Sequence, residues 1–333
     1  MSEPNAVLRP PFRSAALALL NASVLLWTGG AWLAAFALMA STPVAAMLGV
    51  LLCAHSMVLA AYLLHEAAHD TLFRSRAANR ALGEALSFVA GSSYASFERI
   101  RHMHLRHHRD RADLACFDYQ ALLRRRPALR RTLEALEWAY VPATEMLMHL
   151  QIVWRPFVEP GQRRHLPRAA AMLVLRGGLL TALGWWSVQA LLLYAVAYML
   201  FLQVLSFFDS YHHSFEQYFV AAEQAVPMDG RDRAYEQAHT YSNLVSTRHP
   251  WLNLLILNFG YHNAHHARAG APWHRLPALH RQLYGNAAPS VMPLAQLLAS
   301  WHRNRVRRVA AADYGAPGGD FLGAHGVSFL TVV

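Results

Sequence analysis

The chain has no lysine, only two cysteines, and few acidic residues to set against its basic ones. Each shortage excludes something. Cys53 and Cys116 stand alone, so there is no disulfide framework, no CxxC metal site and no cysteine set for an iron–sulfur cluster. Charged residues make up 15% of the 333, against the ~25% usual in soluble domains, which argues against a large soluble fold. All 30 basic residues are arginine and the formal net charge is +10. The arginines flank long apolar runs and do not line a reading helix, so nucleic acid is excluded as a partner. No dinucleotide or flavin fingerprint and no haem-binding module is present. The first residues, MSEPNAVLRPPFR, lack the short apolar core and small-residue cleavage site of a signal peptide.

What is abundant is apolar sequence, 55% of the chain. A membrane span needs ~20 apolar residues, and four stretches qualify: 15–39, 44–64, 169–186 and 188–208. Ser41-Thr42-Pro43 makes the turn between the first two. The expected fold is therefore an all-α integral membrane protein, four transmembrane helices in two hairpins with a helical cap. Arg9 and Arg13 precede the first span, Arg74, Arg76 and Arg80 follow the second, and Arg163, Arg164 and Arg168 precede the third. The hairpin turns hold no arginine, so both termini and the cap are expected in the cytoplasm. The expected organisation is a segment 1–13, one membrane domain over 14–309 with its cap from 65–168 and 209–309, and a loosely ordered tail 310–333. Residues 130–157 mix leucine and aromatics with arginine and glutamate and predict one amphipathic, interfacial helix.

The chemistry is carried by histidine. There are 20, and eight fall in three clusters: His65 and His69 in HEAAH, His104, His107 and His108 in HLRHH, and His262, His265 and His266 in HNAHH. On a helix, residues three and four apart share a face, so each cluster can aim two or three imidazoles at one spot. Neutral imidazole is the commonest protein ligand for metals and suits iron, zinc and copper. Eight ligands exceed one tetrahedral zinc and suffice for two metals. His55, His149, His165, His249, His280, His302 and His325 are isolated and read as ordinary structural histidines; His274, in a proline-rich loop, reads the same way.

Two other readings compete. HEAAH matches HExxH, in which His65 and His69 bind zinc and Glu66 is the base of a membrane protease. It leaves the other two clusters without a role. Glu66/His69 and Glu236/His239 also fit the ExxH pairs of soluble carboxylate di-iron bundles, which again leaves the clusters redundant.

HEAAH, HLRHH and HNAHH, in that order and with that placement of hairpins, resemble the three histidine boxes of the membrane-bound fatty acid desaturase superfamily. The likeness covers roughly residues 40–285, and NFGYHNAHH followed by PWHRLP is its closest part. It implies two non-haem irons held by His65, His69, His104, His107, His108, His262, His265 and His266. The family places a further ligand at the end of the fourth span, here FFDSYHHSFEQY, where His213 fits best and His212 is its rival. Asp209 stands where related desaturases have asparagine. The resemblance makes Glu66 and Asp209 candidate catalytic carboxylates, and His102 and His239 candidates around the ligands. It implies molecular oxygen as co-substrate, a fatty acid or acyl-lipid substrate in the bilayer, and electrons from a separate carrier. A ferredoxin-type donor with its reductase would suit the basic cap at Arg99, Arg101, Arg106, Arg109 and Arg111. The segments FFDSYHHSFEQYF and RDRAYEQAHTYSN resemble the bacterial branch, which places the chain in an inner membrane. That branch includes decarboxylases making terminal alkenes, and the motifs do not separate desaturation, decarboxylation and hydroxylation.

Overall fold

The computed structural model describes residues 15–215, 218–220, 225–285 and 290–310. The expected segment 1–13 and, beyond Ala310, the expected tail with His325 lie outside the described residues. Among the described residues four helices are long and apolar enough to cross a membrane, and the protein is an all-α integral membrane protein. They are α1 (Ala15–Met39), α2 (Pro43–Ala68), α8 (Leu166–Trp186) and α9 (Val188–Asp209). Extended Thr42 and Pro43 start α2, and the Ser187 hydroxyl accepts from the Ala190 N–H to start α9. The hairpins α1–α2 and α8–α9 meet mainly through α2, whose inner half is buried. α8 stands largely outside this packing, with most of its surface exposed to the lipid phase.

The second span is longer than expected. α2 continues to Ala68, so HEAAH forms its last turn, with His69 as the C-cap. The cap then adds α3 (Arg76–Val89) and α4 (Phe97–Asp110), each begun by a serine side chain on a helix N–H. There follow α5 (Tyr119–Arg125), α6 (Pro127–Trp138) and α7 (Ala143–Val158). The single amphipathic helix expected over 130–157 is in fact two. Tyr140 adopts φ 61° and Pro142 supplies no N–H, so α6 must stop before α7 begins. Fully buried Arg305 closes that end of α6, donating from Nε to the Glu137 carbonyl at 2.9 Å and from Nη2 to the Trp138 carbonyl at 2.8 Å.

The rest of the cap is α10 (Arg233–Ala238), α11 (His262–Ala267), α12 (Leu276–Tyr284), α13 (Leu294–Asn304) and α14 (Arg307–Ala310). Two small parallel pairings stitch distant segments together: β1 (Asp113–Ala115) with β2 (Tyr218–Val220), and β3 (Ser242–Leu244) with β4 (Val291–Pro293). Gly260 lets the third box come close to β3. A Cβ there would collide with the Asn243 carbonyl, while the Asn243 N–H donates to the Gly260 carbonyl at 2.9 Å.

Candidate metal centre

The three clusters lie on three separate elements, α2, α4 and α11, and their side chains meet where the spans enter the cap. They do not each converge on one spot. His65, His69, His104, His108 and His265 form a first group, and His107, His213, His262 and His266 a second. Helical geometry explains the division. His104 and His108, four apart, share one face of α4, and His107 is rotated away from them. On α11, His262 and His266 share a face and His265 is the one rotated away. Each HxxHH box therefore gives two imidazoles to one group and one to the other, in opposite sense.

Within each group the ring nitrogens face one another. Nε2 of His69 lies 2.6 Å from Nε2 of His104, and Nε2 of His108 lies 3.1 Å from Nε2 of both His104 and His265. Nε2 of His213 lies 3.1 Å from that of His107 and 2.9 Å from that of His262. A neutral imidazole has one N–H and one lone pair, so a run of facing Nε2 atoms cannot all be hydrogen bonds. Two imidazoles at about 2.1 Å from one ion stand about 3.0 Å apart when cis and about 4.2 Å when trans. In each group the ligand atoms all lie within 4.8 Å of one another. The donor sets fit one metal ion each.

The outer nitrogens support this. His107 Nδ1–H donates to the Ala112 carbonyl and His266 Nδ1–H to Glu236 Oε1, both at 2.8 Å, which leaves their Nε2 lone pairs turned inward. His266 Nε2 is buried and finds no hydrogen-bond partner among the described residues. His213 Nδ1 lies 3.4 Å from the Thr240 hydroxyl. Burial, reinforced by Arg101 and His107, pulls His69 down to about 3, and burial pulls His107 down to about 4. His104, His108, His262, His265 and His266 are held well below the ordinary imidazole value by burial and by one another. All present lone pairs at neutral pH.

A pH effect follows. Between about 6.5, the ordinary imidazole value, and the folded values the unfolded chain binds more protons, so each such group costs about 1.4 kcal/mol of stability per unit of acidification. The metal-free protein in detergent is expected to show a melting temperature that is flat above pH 7 and falls steeply between pH 6.5 and 5. A flat profile through that window would contradict buried neutral imidazoles.

Other predicted residues separate. His212 is excluded from both groups among the described residues; its ring stacks on His262 at 4.0 Å and its Nδ1 is 3.6 Å from Asp209 Oδ1. Glu66 is anchored through one oxygen: its Oε2 accepts from the Thr71 hydroxyl at 2.6 Å and from the Trp273 N–H at 3.0 Å, tying the first box to the loop after the third, while its Oε1 stands 3.8 Å from His65 Nδ1. His102 is exposed, and His239 Nδ1–H donates to the Tyr235 carbonyl at 2.8 Å. Asp209 lines a cavity of about 40 Å³ together with Asp113, Met103, Leu114 and Phe259. The same cavity touches His104 of the first group and His107, His213 and His262 of the second. Asp113 was not singled out in the sequence; burial raises it to about 7, and Asp209 pushes in the same direction. Its one signal was an acid placed among apolar residues just after the second box.

A family model described as Fatty acid desaturase matches residues 41–297, well over half of the chain. The chain belongs to the fatty acid desaturase family. No curated protein is similar enough to match. This family member is thus an integral membrane oxidoreductase, and its histidine groups are compatible with a metal site.

Glu236 is the contact that sequence reading missed, having entered only as half of an ExxH pair. Its Oε1 holds His266, and its Oε2 lies 3.4 Å from Arg111 Nε. Glu236→Ala is expected to lower metal affinity in chelator competition by about 10–100-fold, because His266 loses the partner that fixes its ring. Glu236→Gln, which keeps an acceptor oxygen, should retain most of it. Equal losses in the two variants would assign Glu236 a purely structural role.

Proposed function

We propose that this desaturase-family protein is a di-iron fatty acid desaturase that introduces a double bond into a long acyl chain. Its ligands would be His65, His69, His104, His108 and His265 for one ion and His107, His213, His262 and His266 for the other. The observation that carries the reading is the small cavity flanked by imidazoles of both groups, with Met103, Leu114 and Phe259 as apolar walls. Ferrous ions in an imidazole-rich site supply the oxygen-activating chemistry that removes hydrogen from an unactivated carbon.

The chain's own residues then have three tasks. Phe259 packs edge-on against His65 at 4.8 Å and against His212 at 5.1 Å, so the methylene beside the imidazoles meets a fixed apolar wall. Glu66, through Trp273, and Glu236, through His266, hold the boxes in register. Asp113 and Asp209 are the cavity's carboxylates, placed to take up protons at their Oδ atoms beside the reacting carbon. The zinc-protease reading is disfavoured by the grouping of the histidines, since His65 and His69 share their group with His104, His108 and His265, which that reading leaves without a role.

Electrons would come from a separate ferredoxin-type carrier at the basic cap. Asp70 accepts from Arg101, Asp110 from Arg106 and Arg109, and Glu236 from Arg111, so the charge available to that partner is partly compensated. Arginine placement supports an orientation with cap and termini in the cytoplasm, and the likeness to the bacterial branch supports an inner membrane.

Product analysis tests the reading. Bacteria expressing the protein are fed a saturated fatty acid, and lipids and headspace are examined by gas chromatography with mass detection. A double bond at unchanged carbon number supports a desaturase. A volatile terminal alkene one carbon shorter would replace this reading with oxidative decarboxylation, and a hydroxylated chain with hydroxylation.

A further inference from the structure

Arg176 lies near the middle of α8, ten residues from either end, which is about 15 Å along the helix each way. A charge at that depth of a span is costly and points to a bound partner. Its partners among the described residues are all neutral. Nε donates to the Ser93 hydroxyl at 3.2 Å and Nη2 to the Phe88 carbonyl, and the guanidinium lies over the Phe88 ring at 4.7 Å. Among the described residues no carboxylate forms an ion pair with it. Two turns earlier on the same helix, Arg168 does have one, Glu84 at 2.5 Å. The charge is felt nearby: His149 is lowered to about 4, by burial first and by Arg176 second.

Arg176 also lines a groove of about 340 Å³ whose other walls are mostly apolar, with Tyr194 beside the guanidinium. Trp32 and Phe36 of α1 form one wall, and Leu180, Leu183 and Trp186 of α8 the other. The groove runs from the guanidinium toward the hairpin end, away from the cap. Its size sits at the low end of small-molecule sites and suits one acyl chain rather than two. An unneutralised cation at the cap-side end of such a groove complements a single-chain lipid with an anionic head.

We propose that this groove is a second lipid site, separate from the histidine centre, which takes a fatty acid with its carboxylate on Arg176 and its tail between α1 and α8. Occupation there would hold free fatty acid against the enzyme within the span region, with its head near the middle of α8 and its tail toward the hairpin end.

The test uses the full-length protein in phosphatidylcholine nanodiscs without reductant, and dodecanoate bearing a terminal diazirine. After photolysis, labelled peptides are mapped by mass spectrometry. Labelling is expected on the Trp32–Phe36 part of α1 or the Leu183–Trp186 part of α8. Arg176→Gln should lower it about tenfold or more, as loss of a charge-assisted hydrogen bond does, while the matching neutral alcohol labels weakly and equally in both. Leu180→Trp fills the groove while leaving Arg176 in place and should reduce labelling by acid and alcohol alike, which keeps the test sound if Arg176→Gln fails to fold. His265→Ala should label normally, separating this site from the oxidation reading. The proposal is overturned if labels fall elsewhere, if neither variant changes them, or if phosphatidylglycerol displaces the acid and proves the groove a phospholipid site.

Discussion

His265→Ala is expected to abolish acyl-chain oxidation, with a loss greater than the ~10–100-fold that removal of an outer partner costs. His265 is the third box's only contribution to the first histidine group, and its Nε2 is 3.1 Å from that of His108. Alanine there removes one of five donors and leaves the other four turned toward an empty corner. Iron content, about two per chain if each group binds one ion, should fall toward one. The same substitution separates chemistries. A zinc protease built on HEAAH would keep one zinc and full activity in His265→Ala and in His104→Ala. Retained oxidase activity with two irons would remove His265 from the ligand set and undo the assignment of the first group.

The second large effect concerns adjacent histidines at the end of α9. His213→Ala should empty the second group and eliminate turnover, because His213 Nε2 faces both His107 and His262. His212→Ala should keep both irons, since His212 meets the centre only through its stacked face on His262. Metal analysis and product formation on the two variants decide the matter. If His212→Ala loses iron and His213→Ala does not, the roles are exchanged and the structure has the ninth donor wrong.

The sequence made much of this legible for simple reasons. Four apolar runs of bilayer length have few alternatives in water or lipid, so their positions agree with the helices within a few residues. Histidines at spacings of three and four advertise themselves. What the pattern could not carry is rotation across separate helices. HLRHH and HNAHH look like equivalent triplets, yet the opposed placement of α4 and α11 splits one as two and one, the other as one and two. Glu236 was hidden because its contact with His266 spans 30 residues and rests on tertiary packing. The break between α6 and α7 was marked by Pro142, but it is the left-handed turn at Tyr140 and the buried Arg305 that complete it.

The interleaving of the boxes has a consequence for biogenesis. The first group draws on residues from His65 to His265 and the second from His107 to His266. A ribosome that has inserted both hairpins has still made neither centre, since α11 follows the last span by some fifty residues. Until then His65, His69, His104 and His108 lack His265, and His107 and His213 lack His262 and His266. If each group binds one ion, as proposed, both donor sets are complete only after α11 is made, and a product truncated before the third box would keep all four spans with neither set complete.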